Sequence, residues 1–509
     1  MNALDRFIAL FAPHSALRRA QARHALRAYE ATSPSRLRTI KRARFSADSD
    51  VRTAGLSLRE AARWLEQNYD LVDGALDVLV RAVVGTGIIP EPLVRLRDGS
   101  LATNVNEQLT EWYATWAEAP EVTGEMDAGA VQRIKARTLF RDGEVFTQHL
   151  PGEIRTLRHL TDVPYSIELI DPEAVPIGYS DPRKRIIQGV QKNGWGRPLT
   201  YFVARIDPAT GQMITEYVPV PAARMDHLKI IKRLRQTRGV TVLASAIERL
   251  EDVRDYDETE RVAAKIAASM AAFIKRGTPD LYNPETTQVD EQGNRVPREH
   301  KFQAGMIFDF LESGEDIGTI DTNRPNPNLG RYRDDQLRAG SAGIGLAFSS
   351  FARNYEGNYS SRRQEANEQA PHYHILWDYF CSRSERPIWR TLVDVLLANR
   401  MLELPRDIDL STLYAVDYSR PATPAIDRQK EVGADANALE TFQDSLVDVW
   451  RRNGRNPADM WRKLADQAVK LEAISGANPS AHTSITPDPT DDAEPLADGD
   501  DESEREEAA

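Results

Sequence analysis

The sequence predicts an α+β fold of roughly three domains, rich in helix and with its strands short and clustered. Three observations carry this. Apolar residues recur at helical spacing through most of the 509 residues. Short runs of Val, Ile, Thr and Phe lie close together between residues 145 and 204. Residues 240–275 contain neither Gly nor Pro, so these 36 positions read as one helical rod. At 1.5 Å per residue the rod would be roughly 54 Å long, more than a compact domain ordinarily uses.

Composition narrows the class. The formal charge of −12 is uneven: residues 1–45 hold ten Lys/Arg against two Asp/Glu, and residues 477–509 hold eleven Asp/Glu against Arg505 alone. A body this acidic argues against tight binding of nucleic acid over the whole surface, because phosphate is bound by Lys and Arg. A single cysteine, Cys381, excludes internal disulfides and any cysteine-based metal cluster, and reads as a small buried apolar residue. No apolar run approaches the roughly 20 residues of a membrane span, and the start of the chain lacks a signal-peptide pattern.

In chain order, residues 1–45 form a basic arm, open to contact with nucleic acid, an acidic partner or solvent alone. Residues 57–84 read as two helices ending at Gly85, after which Gly87 and Pro90 turn the chain into a strand through Leu93 and Val94. Residues 106–119 make an amphipathic helix whose Trp112 and Trp116 face a core, and residues 128–140 make another. Strands follow at 145–147, 167–170, 186–190 and 200–204. In the 240–275 rod, Ser245 and Glu248 suit a capping box. Its first half carries Glu248, Glu251, Asp252, Asp255 and Glu258, and its second half is small and apolar, suited to close packing. Five prolines break the helical pattern across 277–328, with a hairpin or loop near 290–298 and strands near 306–311. Helix returns at 331–342.

Residues 343–368, GIGLAFSSFARNYEGNYSSRRQEANE, read as a loop between two rigid arms. Glycines and asparagines there favour turns, so no regular element is expected before a helix that starts at about Arg362 behind Ser361. That helix runs to about residue 400, with Pro371 and Pro387 set to cap, kink or divide it. A strand and loop occupy 401–424. Helices fill 426–471, separated at Gly433 and at the 453–457 turn. From about 477 the composition is that of a disordered acidic tail.

Chemistry is hard to find in these residues. There is no phosphate-binding loop and no nucleophile elbow, and His372 and His374, two apart, point to different sides of a helix. No enzyme, metal or cofactor is expected.

Several segments, in order, nevertheless form a pattern: VVGTGI at 83–88, Gly143-Glu144, ELIDPE at 168–173, QTRGV at 236–240, SGE at 313–315, GIGLAF and NYSS with Arg363 in the loop stretch, and IDRQKE at 426–431. With them the chain resembles the portal proteins of tailed bacteriophages, of the lambda type, from about Leu58 to Leu471. Arg362 and Arg428 depart from that pattern, where a small residue and a proline are usual.

The resemblance implies a homo-oligomeric ring, typically a dodecamer, at one capsid vertex of the virion, assembled in the host cytoplasm. Double-stranded DNA passes through its channel for packaging and ejection. Its implied partners are the terminase large subunit, the major capsid or scaffold protein and the head-tail connector (neck) proteins, with no membrane. By position it implies a basic arm (1–45), a mixed wing (46–239), stem helix 1 (240–276), a small α/β clip (277–328), stem helix 2 (329–344) and a channel (tunnel) loop (345–358). A wing spine helix and strand (359–424), a helical crown (425–475) and the tail (476–509) complete it. Phe348, Ser349, Arg353, Asn354, Tyr355 and Asn358 are then candidate channel-loop residues, and Glu248, Glu251, Asp252, Asp255 and Glu258 candidate lumen carboxylates, since unpaired carboxylates repel phosphate. A sequence-independent DNA-binding protein using the basic arm, and a phage nuclease, are the alternatives.

Overall fold

A computed structural model describes residues 46–207, 210, 213–268, 272–276, 315–319, 328–355, 359–421 and 428–477. The chain divides into two units, 1–421 and 422–509. The first is the mixed α+β body. It opens with helices α1 (Ala47–Asn68) and α2 (Asp70–Val83). Their break falls where Tyr69 adopts an extended backbone between them. Helix α1 begins ten residues before the expected start, because Ser46 accepts a hydrogen bond from the Ser49 N–H and supplies an N-cap.

A short strand β1 (Pro90–Pro92) follows, then α3 (Thr103–Ala117) and α4 (Ala128–Asp142). Trp116 is buried and donates its indole N–H to the Tyr165 carbonyl at 3.0 Å, so the paired tryptophans are core, as their spacing indicates. Helix α4 ends at Gly143, whose φ of +88° is the left-handed stop that glycine provides.

Two antiparallel sheets follow. β2 (Glu144–Pro151) lies between β3 (Tyr165–Ile170) and β8 (Met225–Lys229). A second sheet runs β4 (Ile186–Ile187), β5 (Val190–Lys192), β6 (Pro198–Ile206) and β7 (Met213–Pro221) in spatial order. Phe146, Ile170, Val190, Tyr201, Val220 and Met225 fill the space between the sheets. β7 and β8 add to the strands expected up to residue 204. β7 holds Pro219 and Pro221 and leaves Met213, Ile214 and Val218 exposed, so it lacks clean alternation.

The long rod is shorter than expected. A 3₁₀ turn at Val242–Ser245 precedes α5 (Ile247–Ala268), and the chain is then a strand, β9 (Ala272–Arg276). The helix of 22 residues spans roughly 33 Å. Ser245 does not cap it; its hydroxyl instead donates to the Gly343 carbonyl. β9 pairs antiparallel with β10 (Glu315–Thr319), Ile274 opposite Ile317, and a partner that distant in sequence draws Phe273 and Ile274 out of the helical pattern. The expected hairpin near 290–298 and strands at 306–311 lie outside the described residues.

α6 (Leu329–Ile344) packs on α5 and is followed by α7 (Phe348–Ala352) and α8 (Tyr359–Phe380). A π turn at Cys381–Glu385 leads to α9 (Arg386–Ala398), with Pro387 in its first turn and Pro371 inside α8. β11 (Val416–Tyr418) returns to pair with β1. Burial, and next the nearby Glu385, push the Cys381 thiol well above its ordinary range, so it stays a protonated core group.

The second unit holds α10 (Arg428–Glu440), α11 (Leu446–Arg452) and α12 (Pro457–Ala477). α10 runs through Gly433, correcting the expected break there. The interruption comes at 441–445, where Ser445 caps α11 by accepting from the Asp448 N–H at 3.1 Å. Trp450 and Trp461 meet edge to face at 5.0 Å.

Candidate functional site

The five candidate carboxylates lie on α5, and the helix sorts its two faces sharply. Leu250 and Val253 are buried on one side, as is Ile247 in the first turn. At 100° per residue, Glu248, Glu251, Asp252, Asp255 and Glu258 fall within a single arc of about 120° on the other side. Glu248, Asp252, Asp255 and Glu258 are exposed and Glu251 half-buried. Only Asp255 has a cation beside it, Arg254 at 3.6 Å; the other four form no ion pair among the described residues. The inner carboxylates are used differently: Asp257 is paired with Arg333 of α6 at 3.2 Å. The structure therefore brings the five together as one outward acidic face.

The candidate loop is built otherwise than expected. Within 345–358 the chain forms α7, anchored by Phe351, which is 1% exposed. Phe348 packs against the same core and lies under the Arg338 guanidinium, 4.7 Å from its ring centroid. The Ser349 N–H donates to Glu365 of α8 at 3.3 Å, and Gln369 of α8 donates to the Gly345 carbonyl at 2.7 Å. Gly345 sits at φ +86°, and a Cβ there would lie 2.8 Å from His372 Nε2. α7 ends at Arg353, itself left-handed at φ +53°; Arg353 and Tyr355 are exposed and Asn354 is half-buried. Asn358 lies outside the described residues. A helix can form here because the apolar Phe348-Ser-Ser-Phe351 spacing buries one side, which outweighs the turn-forming composition around it. Likewise α8 starts at Tyr359, three residues before the expected Arg362.

A second cluster was not singled out as a site. Glu144 is fully buried at the start of β2, and two of the segments quoted above meet at it. Arg238 donates from Nε to both Glu144 oxygens at 2.9 and 3.0 Å, and the Gly239 N–H donates to Oε2 at 2.8 Å. Arg59 of α1 donates to Oε1 at 2.7 Å. The other Arg238 nitrogens donate to the carbonyls of Pro172, Val175 and Gln188, tying both sheets to the helical layer. Two glycines make the approach possible: a Cβ on Gly143 would lie 2.2 Å from the Val240 carbonyl carbon, and one on Gly239 2.0 Å from the Gly143 oxygen. Burial alone would raise the Glu144 pKa; Arg238 and His227 more than reverse this and hold it far below the carboxylate range.

His227 Nε2 lies 2.9 Å from Glu144 Oε2. Burial, with the charges of Lys229 and Arg238, depresses its pKa to about 4 despite that carboxylate. The imidazole is therefore neutral at pH 7 and donates from Nε2. The folded value lies below the ordinary 6.5, so as pH falls the unfolded chain takes the proton first. Stability is present above pH 6.5 and is lost between 6.5 and about 4, by on the order of 3 kcal/mol. His227→Gln is expected to flatten this part of a urea-unfolding pH profile; an unchanged slope would assign it to other groups.

No group of three His, Cys, Asp or Glu side chains is placed to hold a metal, and no helix is long and apolar enough to cross a membrane, among the described residues. The sequence as a whole matches the family model described as phage portal protein, lambda family, over residues 33–376. It is 23% identical over 467 residues to a probable portal protein of Halomonas phage phiHAP-1, covering 87% of this chain and 88% of that one. It is 22% identical over 322 residues to portal protein B of Escherichia phage lambda, covering 58% and 60%. Among solved structures, the neck of a native gene transfer agent particle computed with C12 symmetry aligns at a TM-score of 0.44 and 12% identity, over 79% of this chain and 94% of that one. An HK97-family phage portal protein from Corynebacterium diphtheriae aligns at 0.30 and 13%, over 64% and 86%. With its model matched across about two thirds of the sequence, the chain belongs to the lambda family of phage portal proteins.

Proposed function

We propose that copies of this chain assemble into a dodecameric ring at the capsid vertex, with α5 turning its acidic face to a channel through which double-stranded DNA is packaged and ejected. The role is structural, with no covalent chemistry. Family membership supports the portal role, and the arc of five carboxylates on α5 is the observation that carries the channel assignment. Four of the five form no ion pair among the described residues, and such carboxylates repel the phosphate backbone, so DNA is passed and not held. In this reading α5 and α6 are the stem, β9 and β10 begin and end the clip, the helices and sheets at 46–239 with 359–424 form the wing, and α10 to α12 the crown. Arg353 and Tyr355 would present the channel loop. The ring would dock the terminase large subunit, the capsid or scaffold protein and the neck proteins, in the host cytoplasm during assembly and in the virion afterwards.

Negative-stain images of the purified protein test the assembly: rings with a central hole are expected, and a monomer under every condition tried would refute it. For the channel face, Asp252→Lys with Asp255→Lys is expected to leave ring formation intact, because both side chains are exposed, and to reduce packaged DNA by roughly tenfold as cations begin to hold phosphate. Packaging at the normal level in rings of this variant would remove α5 from the channel wall.

A further inference from the structure

The second sheet ends in two adjacent turns that carry an unusual set of side chains. The turn between Asp181 and Ile186 presents Arg183, Lys184 and Arg185, all exposed. The turn between β5 and β6 presents Trp195, 97% exposed, and the exposed Arg197. Both are built rather than loose. Asn193 Oδ1 accepts from the N–H groups of Trp195 and Arg197, at 2.9 Å each, and the Gly196 φ of +85° closes the turn. The turns are laced to each other: Lys192 N–H donates to the Arg185 carbonyl at 3.0 Å, Gln191 donates to the Lys184 carbonyl at 3.2 Å, and a Cβ on Gly194 would lie 3.7 Å from Arg185 Nη1. An irregular register between Gln191 and Lys192 turns the tip away from the ladder.

Asp181, the carboxylate of this pair of turns, is taken up by the backbone N–H groups of Arg183 and Lys184. The four cations form no ion pair among the described residues, on a chain whose formal charge is −12. An indole held almost wholly in solvent loses the burial that normally fixes tryptophan. Beside guanidinium groups it matches the stacking and phosphate chemistry of single-stranded nucleic-acid sites, where an aromatic face takes an unpaired base and Arg or Lys the backbone. We propose that these two turns bind single-stranded nucleic acid without sequence preference, Trp195 stacking on a base and Arg183, Lys184, Arg185 and Arg197 contacting the phosphates on either side. This site lies on the wing sheet and is separate from the channel face on α5.

The test uses the full chain and a bromodeoxyuridine-substituted 20-mer, crosslinked by ultraviolet light and mapped by mass spectrometry, so that binding through the basic residues 1–45 is read separately. Crosslinks are expected on the peptide containing Trp195. Anisotropy titrations with Trp195→Ala should show affinity reduced about tenfold. The triple alanine variant of Arg183, Lys184 and Arg185 should lower the slope of log affinity against log salt by about 2. An unchanged thermal midpoint shows that the variants are folded. Crosslinks confined to residues 1–45, or equal affinity of wild type and Trp195→Ala, would overturn the proposal. So would displacement by polyglutamate as effective as by the oligonucleotide, which would make the patch a site for an acidic polypeptide.

Discussion

Glu144→Gln is expected to lower the free energy of unfolding by about 3–5 kcal/mol, as measured by urea denaturation at pH 7, while changing one atom in a fully buried side chain. The native carboxylate stands between the guanidinium groups of Arg59 and Arg238, both with almost no solvent access. The amide keeps shape and some hydrogen bonding but leaves two buried cations without the carboxylate that pairs with both. The arginines are not equivalent. Burial is the leading cause that lowers the Arg59 pKa, and its Nε has no partner, whereas Arg238 also donates to three carbonyls. Arg59→Met is therefore expected to be milder, about 1–2 kcal/mol, because an incompletely satisfied charge leaves with it. Equal losses in the two variants would show that the charge balance at Glu144 is not what holds this junction.

Gly239→Ala is expected to be at least as severe, above about 4 kcal/mol, with loss of most soluble protein at 37 °C. The added methyl would sit 2.0 Å from the Gly143 oxygen and 2.5 Å from its carbon. Both are backbone atoms, and the Gly143 carbonyl also accepts from the Ile230 N–H at 2.8 Å. Nothing at the contact can swing aside; the two segments must separate, and the Gly239 N–H then leaves Glu144. A folded alanine variant with an unchanged urea midpoint would mean that the two backbones do not meet this closely.

Which parts could be read from the residues follows from how far apart the interacting partners lie. Helices α2, α3, α4 and α6 emerge from local apolar spacing, since a helix needs only its own neighbours three and four positions away. The acidic face was legible for the same reason: Glu248, Glu251, Asp252, Asp255 and Glu258 belong to one helix. The end of α5 was not, because strand β9 exists through its pairing with β10, some forty residues on. α7 was hidden because turn-forming residues dominate the composition around it, while the burial that fixes it comes from Phe351, with Phe348 packed beside it, against a core built from distant segments. The Glu144 cluster was visible only as short separate words, a charge beside a glycine in Gly143-Glu144 and in Arg238-Gly239. That they are one junction, joined by Arg59 from 85 positions away, depends on packing no local pattern contains.

The anchoring of α7 sets a limit on distance. Tyr355 is two residues past Arg353, the left-handed residue that ends α7, so its Cα stays within about 7 Å of that point however the residue between is arranged. Its position is thus tied to the end of α7. Copies arranged around an axis would therefore present their tyrosines as a ring of defined radius, and changing that radius would require prying Phe351 from the core.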